Sequence, residues 1–403
     1  MQTLLDSLQQ AVREAGVDAW ALYDFRGSNP LAWKILDVPP DAHCTRRWMV
    51  VIPAHGTITK IVHRMERIPL GDIHAVEVLY DTYQSWEAAV SGALSRSRTV
   101  AMEYSPGNAI PVVSKVDAGT VESIRALGCD VVSSADLLQA QTAVIDRERL
   151  AGNAITAAKL KDAVMSGFSF VRHQLLREHR VTEYDVQQHI MAAFAERDLV
   201  TDHPPIVAIG PNASRPHYAP SVQEHDDIKP GSVVLIDAWA RSHAPASIYA
   251  DITWVGYTGD VVPADVAHRF DVIVRGRDAA ADLVRARFAA GTPVYGYEVD
   301  RACRDVIEQA GLGHLFIHRT GHSITDEVHG PGTNIDDFET HDTRRILPGT
   351  TFSIEPGVYE DDVLGLRTEI DVVVDHDGSV SIPTAPVQMA VLPLLADEDP
   401  CRV

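Results

Sequence analysis

Apolar and polar positions along this chain repeat with different periods in different stretches, and the period predicts the element. Up to about residue 140, short apolar runs such as WMVVIP and TVAM alternate with helically spaced segments such as 121–127, which predicts an α/β domain. Over 147–180 the pattern becomes that of one long helix, with apolar residues at three- and four-residue intervals and no proline. A second helix follows, with Thr182 as its N-cap and Asp185 three residues on in a loose capping box. Beyond residue 205, strands (PPIVAIG, GSVVLIDAWA, SIYADITWVGY) give way to a helical pair over 263–290 and 297–310. Strands return at TFSIEPGVY, LRTEIDVVV and QMAVLPLL. Helices mixed with mostly antiparallel strands predict an α+β domain. The change of texture places the boundary between 138 and 150, giving domains at 1–145 and 146–403.

Length agrees with two domains, because 403 residues exceed what one core usually supports. Net charge is -21, which repels nucleic acid and anionic lipid, so neither is expected as a partner. Cys44, Cys129, Cys303 and Cys401 are scattered without CxxC spacing and read as free thiols in a reducing cytoplasm. MQTLLDSLQQAVREAG alternates apolar and charged residues and lacks the apolar stretch of a signal peptide. No long uncharged apolar window suggests a membrane span.

Candidate chemistry lies in three segments. In VVLIDAWARSHAPASIYADITW, Asp237 is placed at the end of an apolar strand and Asp251 inside the next. A carboxylate in an apolar strand is costly to bury unless it is paired or holds a metal, although either aspartate alone also suits a turn or cap. HRTGHSITDEVHGPG carries His318, His322 and His329, and reads equally as a metal-binding loop or a solvated one. In FSIEPGVYEDDVLGLRTEIDVVV, Glu355 and Glu369 flank the turn EDDVLG and could face each other across a hairpin or face solvent. Carboxylates with one imidazole suit manganese, cobalt, iron or zinc.

The order Asp, Asp, His, Glu, Glu resembles the superfamily of methionine aminopeptidase, aminopeptidase P, prolidase and creatinase. GPNASRPHYAP, IDAWA, YADIT, GHSITDEVH, SIEPGVY and LRTEIDVVV fall in that family's order over roughly 150–395. The resemblance implies a C-terminal pita-bread catalytic domain behind a creatinase/prolidase-type α/β domain, and a homodimer. It implies two divalent metal ions held by Asp237, Asp251, His322, Glu355 and Glu369. It further implies that Glu355 shuttles a proton and that His329 donates to the developing oxyanion. His217 and His318 would line the substrate pocket, with His217 also in the catalytic set, and Arg367 would brace the carboxylates beside the substrate. The activity implied is hydrolysis of Xaa-Pro bonds in short peptides by a hydroxide held between the metals.

Departures include Trp254 where arginine is frequent, Gly330 after His329, and Arg319 and Ser323 around His322. An Asp-to-Asp spacing of fourteen residues is longer than the family hairpin, so RSHAPAS is expected to gate the cavity mouth. Rival readings are a non-proline peptidase, a non-peptide hydrolase or lyase on the same site, and a binding module without catalysis.

Overall fold

The strand AWALYD buries both of its faces, which is why it reads as an unbroken apolar run rather than an alternating one. A computed structural model of the chain describes residues 2–39, 41–67, 70 and 73–401. Two units are resolved by their internal packing, Met1–Thr142 and Ala143–Val403.

The first unit opens with α1 (Gln2–Glu14), β1 (Ala19–Asp24), α2 (Pro30–Ile35), β2 (Trp48–Pro53), β3 (Thr59–His63) and β4 (Val76–Tyr80). It continues with α3 (Tyr83–Leu94), β5 (Thr99–Met102), α4 (Ala118–Ala126), β6 (Asp130–Ser133) and α5 (Ala135–Thr142). The strands form one mixed sheet in the order β4-β3-β2-β1-β5-β6. Trp20 and Leu22 pack with residues of α1, α2 and α5 on one face. Ala21 and Tyr23 pack with α3 and α4 on the other.

The second unit contains α6 (Arg147–Leu176), α7 (Glu183–Glu196), β7 (Leu199–Val200), β8 (Ile206–Ile209), α8 (Gly210–Ala213), β9 (Val233–Ser242) and β10 (Ala250–Tyr257). After α9 (Ala264–Ala289) and α10 (Gly296–Gln309) come β11 (Ser323–Ile324), β12 (Thr350–Ile354), β13 (Gly357–Glu360), β14 (Leu364–Arg367), β15 (Ile370–Val374), β16 (Val380–Ser381) and β17 (Leu392–Pro393). The capping box at the start of α7 forms as expected: Asp185 N donates to Thr182 Oγ1 and Thr182 N donates to Asp185 Oδ2.

Strand alternation sorts the chemistry from the core. On β9 and β10, Val234, Ile236, Ala238, Ile252 and Trp254 bury against α6 and α7. Asp237 and Asp251 therefore lie on the opposite face; Asp237 pairs with Thr253 and Asp251 with Trp239, which makes the aspartates diagonal neighbours. On β12 and β15, Phe352, Ile354, Ile370 and Val372 pack in the cluster with α9 and α10, leaving Ser353, Asp371 and the flanking glutamates on the other face.

Two local expectations change. Asp237 sits mid-strand, since β9 continues to Ser242. Of QMAVLPLL only Leu392–Pro393 pairs as a strand, because Gln388 uses its side-chain amide as a stand-in for backbone, accepting from Val255 N at 2.8 Å and donating to Val255 O at 2.6 Å. Among the described residues, no helix is long and apolar enough to cross a membrane.

Gly321 lets the histidine loop lie directly on β12, where a Cβ at that position would meet Ser353 O at 2.0 Å. Gly321→Ala should cost about 1–3 kcal/mol or more through forced separation of the two segments, and lower Tm by several degrees. An unchanged Tm in calorimetry would show that the loop is not pinned there.

Candidate metal centre

The glutamates occupy a deliberate gap between two ladders. β12 pairs with β15 and β13 with β14 in one continuous register, and Glu355 and Glu369 fall in the break, opposite each other. Their backbones bond elsewhere: Glu355 N donates to Thr320 O at 2.7 Å, and Glu369 N to Thr253 O at 3.3 Å. The gap thus ties the hairpin to both the histidine loop and β10, and turns the glutamates towards the aspartates.

A cavity of about 220 Å³ results. Asp237, Asp251, His322, Glu355 and Glu369 line it, and so do His217, His318, His329 and Arg367. Ligand atoms of Asp251, His322 and Glu369 lie within 4.8 Å of one another, and all three residues are buried. His322 Nε2 is 3.3 Å from Glu355 Oε1 and 3.9 Å from Asp251 Oδ2.

These groups fit a divalent cation. Burial pushes the pKa of His322 down to about 3, with the charge of Arg319 adding to it, so the ring is neutral. Its Nδ1 faces Ser323 O at 3.2 Å, which assigns the proton to Nδ1 and leaves a lone pair on Nε2. That lone pair confronts carboxylate oxygens, acceptor against acceptor. Asp251 Oδ1 is buried with no hydrogen-bond partner. Burial, then the charges of Glu369, Asp237, Asp371 and Glu355, raise the Asp251 carboxyl well above its ordinary range. Glu369 is raised in the same way by burial and by Glu355 and Asp237. Protons or a metal must relieve such a set, and metal ligation is its usual role.

Among the described residues, Arg367 forms the one ion pair to these carboxylates apart from those of His322. Its Nη2 donates to Asp237 Oδ2, its Nε to Thr253 Oγ1 at 3.1 Å and its Nη1 to Tyr359 Oη at 3.1 Å. These donors turn towards the protein, so Arg367 acts as a brace more than as a substrate contact. Thr253 Oγ1 donates onward to Glu369 Oε2 at 2.8 Å. Tyr359 Oη donates to His318 Nε2 at 2.9 Å, while His318 Nδ1 donates to Arg319 O at 2.7 Å. Burial lowers the His318 pKa to about 4, consistent with that neutral tautomer. His329 is likewise lowered to about 4 by burial and by His322, against which its ring packs edge-on with centroids 4.3 Å apart.

Several supporting residues escaped sequence reasoning. Asp371 Oδ2 accepts Asp251 N at 3.1 Å; its position two beyond Glu369 on the same strand face was the available signal. The buried pair Asp300–Arg304 on α10 holds the histidine loop, Asp300 Oδ1 accepting from Thr320 N and Arg304 Nη2 donating to His318 O. Ser353 Oγ accepts from His322 N at 3.0 Å and donates to Glu355 Oε1 at 3.2 Å.

The hairpin tip does not gate this cavity: no residue of 241–247 lines it. The tip folds onto the start of α6 instead, with Arg149 Nε donating to Ala246 O and Asn153 Nδ2 to Tyr249 O. Arg241 stacks over Tyr249 at 5.6 Å.

With the geometry in place, comparison with known proteins is decisive. The sequence model of Metallopeptidase family M24 matches residues 153–376. The chain belongs to this family. The metallopeptidase is 28% identical over 356 residues to the probable dipeptidase PepE of Mycobacterium tuberculosis, covering 86% of this chain and 85% of that one. It is 27% identical over 232 residues to the Xaa-Pro dipeptidase of Lactobacillus delbrueckii subsp. lactis, covering 58% and 57%. Among solved structures, dipeptidase PepE from Mycobacterium ulcerans superposes with a TM-score of 0.67 at 25% identity over 97% of both chains. The metallopeptidase thus has the pita-bread fold, and its carboxylate–histidine cluster can hold a metal.

The raised carboxyls give metal binding a sign with pH. Folded-state pKa values above the unfolded ones stabilise the metal-free protein at low pH, and that contribution is lost as pH rises above the ordinary carboxylate range. His322, neutral above about 3, does not compete over that range. Added manganese(II) should therefore raise the Tm of metal-stripped protein more at about pH 8 than at about pH 5. An equal rise at both, measured by differential scanning calorimetry, would contradict the assignment of Asp251 and Glu369 as ligands.

Proposed function

We propose that this metallopeptidase hydrolyses Xaa-Pro bonds of short peptides, with two divalent ions held by Asp237, Asp251, His322, Glu355 and Glu369. The observation that carries the reading is the lone pair of His322 Nε2 directed at carboxylate oxygens inside one cavity. Similarity to an Xaa-Pro dipeptidase and to a probable dipeptidase supports the substrate class.

When bound, the ions would acidify a water and polarise the scissile carbonyl. Glu355, steadied at Oε1 by Ser353, would act as the base that takes up a proton and passes it to the leaving nitrogen. A neutral His329 keeps an N–H to donate to the carbonyl oxygen as negative charge develops there. His217 forms part of the wall, and His318, fixed by Tyr359, shapes it.

One observation favours a second reading, an aminopeptidase acting on longer peptides. A wider cavity of about 630 Å³ shares Pro216, His217, His318 and Glu339 with the first, leaving room beyond the scissile bond.

Manganese-, cobalt- and zinc-loaded enzyme should cleave Xaa-Pro dipeptides faster than matched Xaa-Ala dipeptides, and equal rates would remove the proline preference. Comparable rates on Xaa-Pro tripeptides would favour the second reading. His322→Ala should lower metal occupancy, whereas His329→Ala should keep it and reduce kcat by roughly 10²-fold. Equal metal loss in both variants would overturn this division of labour.

A further inference from the structure

The first unit contains a crevice that the peptidase reading does not use. Its sheet begins in the middle with β1, extends outward through β2, β3 and β4, and resumes on the other side with β5 and β6. β1 and β5 run parallel, so the strand order reverses between them. Beyond their carboxyl ends the chain leads from β1 to α2 on one face and from β5 to α4 on the other. Diverging connections at such a point leave an opening that α/β proteins use for ligands.

Beside this point, on the α3–α4 face of the sheet over β1 and β2, lies chemistry suited to a ligand. A cavity of about 320 Å³ is lined by Tyr23, Phe25, Arg47, Trp86, Thr120 and Ser123 among others. An adjoining one of about 340 Å³ shares Tyr23, Phe25 and Arg47 and extends to His63, Tyr80 and Tyr83. Both lie in the size range of small-molecule sites. The Arg47 guanidinium stacks on Trp86 at 4.6 Å, and Tyr80 packs edge-on against that indole at 4.9 Å. Among the described residues, no carboxylate forms an ion pair with Arg47, in a chain of net charge -21.

Asp117 lines the first cavity and Asp81 the second, each turned to partners of its own. Asp81 pairs with Arg64 at 3.5 Å, Asp117 caps α4 by accepting Thr120 N at 2.9 Å, and Asp24 accepts Gly27 N and Asn29 N. Arg46, at the rim, pairs with Glu66 at 2.9 Å. Among the described residues, the Arg47 guanidinium is left without an ion pair and lies over the Trp86 ring. Beside it, Phe25 is 45% and Tyr83 63% exposed, large apolar rings left at the mouth.

We propose that this cleft is a second ligand site, taking a small organic anion with a flat apolar body. Its negative group meets Arg47, and its body lies against Phe25 and Trp86. A carboxylate and a phosphate monoester share this chemistry. The site is independent of the metal centre and of the peptidase reading.

Isothermal titration of the full-length protein with phenylacetate and with phenyl phosphate tests the proposal, with acetate, inorganic phosphate and benzyl alcohol as controls. At least one aryl anion should bind with Kd of about 1 mM or tighter, and each control at least about tenfold more weakly. The tighter of the two aryl anions identifies the carboxylate or the phosphate as the preferred group. Arg47→Gln should weaken that binding at least about tenfold while leaving peptide hydrolysis unchanged. Should Arg47→Gln lower Tm, Phe25→Ala, which trims an exposed ring, must weaken the same binding. Absence of aryl-anion binding, benzyl alcohol binding as tightly, or affinity retained in the folded variants would overturn the proposal.

Discussion

Asp237, Asp251, Glu355 and Glu369 converge in one cavity in the C-terminal unit, and among the described residues Arg367 is the one guanidinium ion-paired to any of them. Two like charges about 4 Å apart cost about 4 kcal/mol at an effective dielectric near 20, so repulsion within the set exceeds what one arginine can offset. Such a cluster persists only if the surrounding fold holds it and something positive completes it. Much of the unit's architecture can be understood from that requirement.

Helix layers bury the opposite faces of both strand pairs, α6 and α7 behind β9–β10 and α9 and α10 behind β12–β15, so that the acidic faces cannot rotate away. Backbone bonds that leave their ladders at Glu355 and Glu369 join the strand pairs where the charge is densest. Thr253 is the hinge of the polar network, receiving from Arg367 and donating to Glu369. Burial keeps His318, His322 and His329 neutral, so the site offers a lone pair at His322 and a proton donor at His329 without carrying further positive charge. A cation resolves the electrostatic conflict and gains a strong field by doing so.

Elements with strong periodicity were legible in the amino-acid sequence: the long α6, the capped start of α7, and the pair α9 and α10 all appear within a few residues of expectation. That Asp237, Asp251, His322, Glu355 and Glu369 come together was legible too, because motif order carried them into one cavity. Their supports were not. Asp371, Thr253 and Ser353 look like ordinary solvent-facing strand residues until a second layer covers them, and a single chain does not reveal which strand face is covered. Asp300 and Arg304 look like a surface pair on an amphipathic helix, yet both are buried. The hairpin tip misled for a related reason. Its nearness in sequence to Asp237 and Asp251 says nothing of direction, and Ile248, packed with Ile145, Leu150 and Val373, draws it towards α6.

The central claim is that these carboxylates and His322 form a metal centre and not a buried proton-sharing cluster. Anomalous scattering from crystals soaked in manganese(II), recorded near the manganese edge, tests it most directly. The account predicts two peaks in the cavity, each within bonding distance of at least two of Asp237, Asp251, His322, Glu355 and Glu369. Strong peaks elsewhere on the chain with none in this cavity would contradict it.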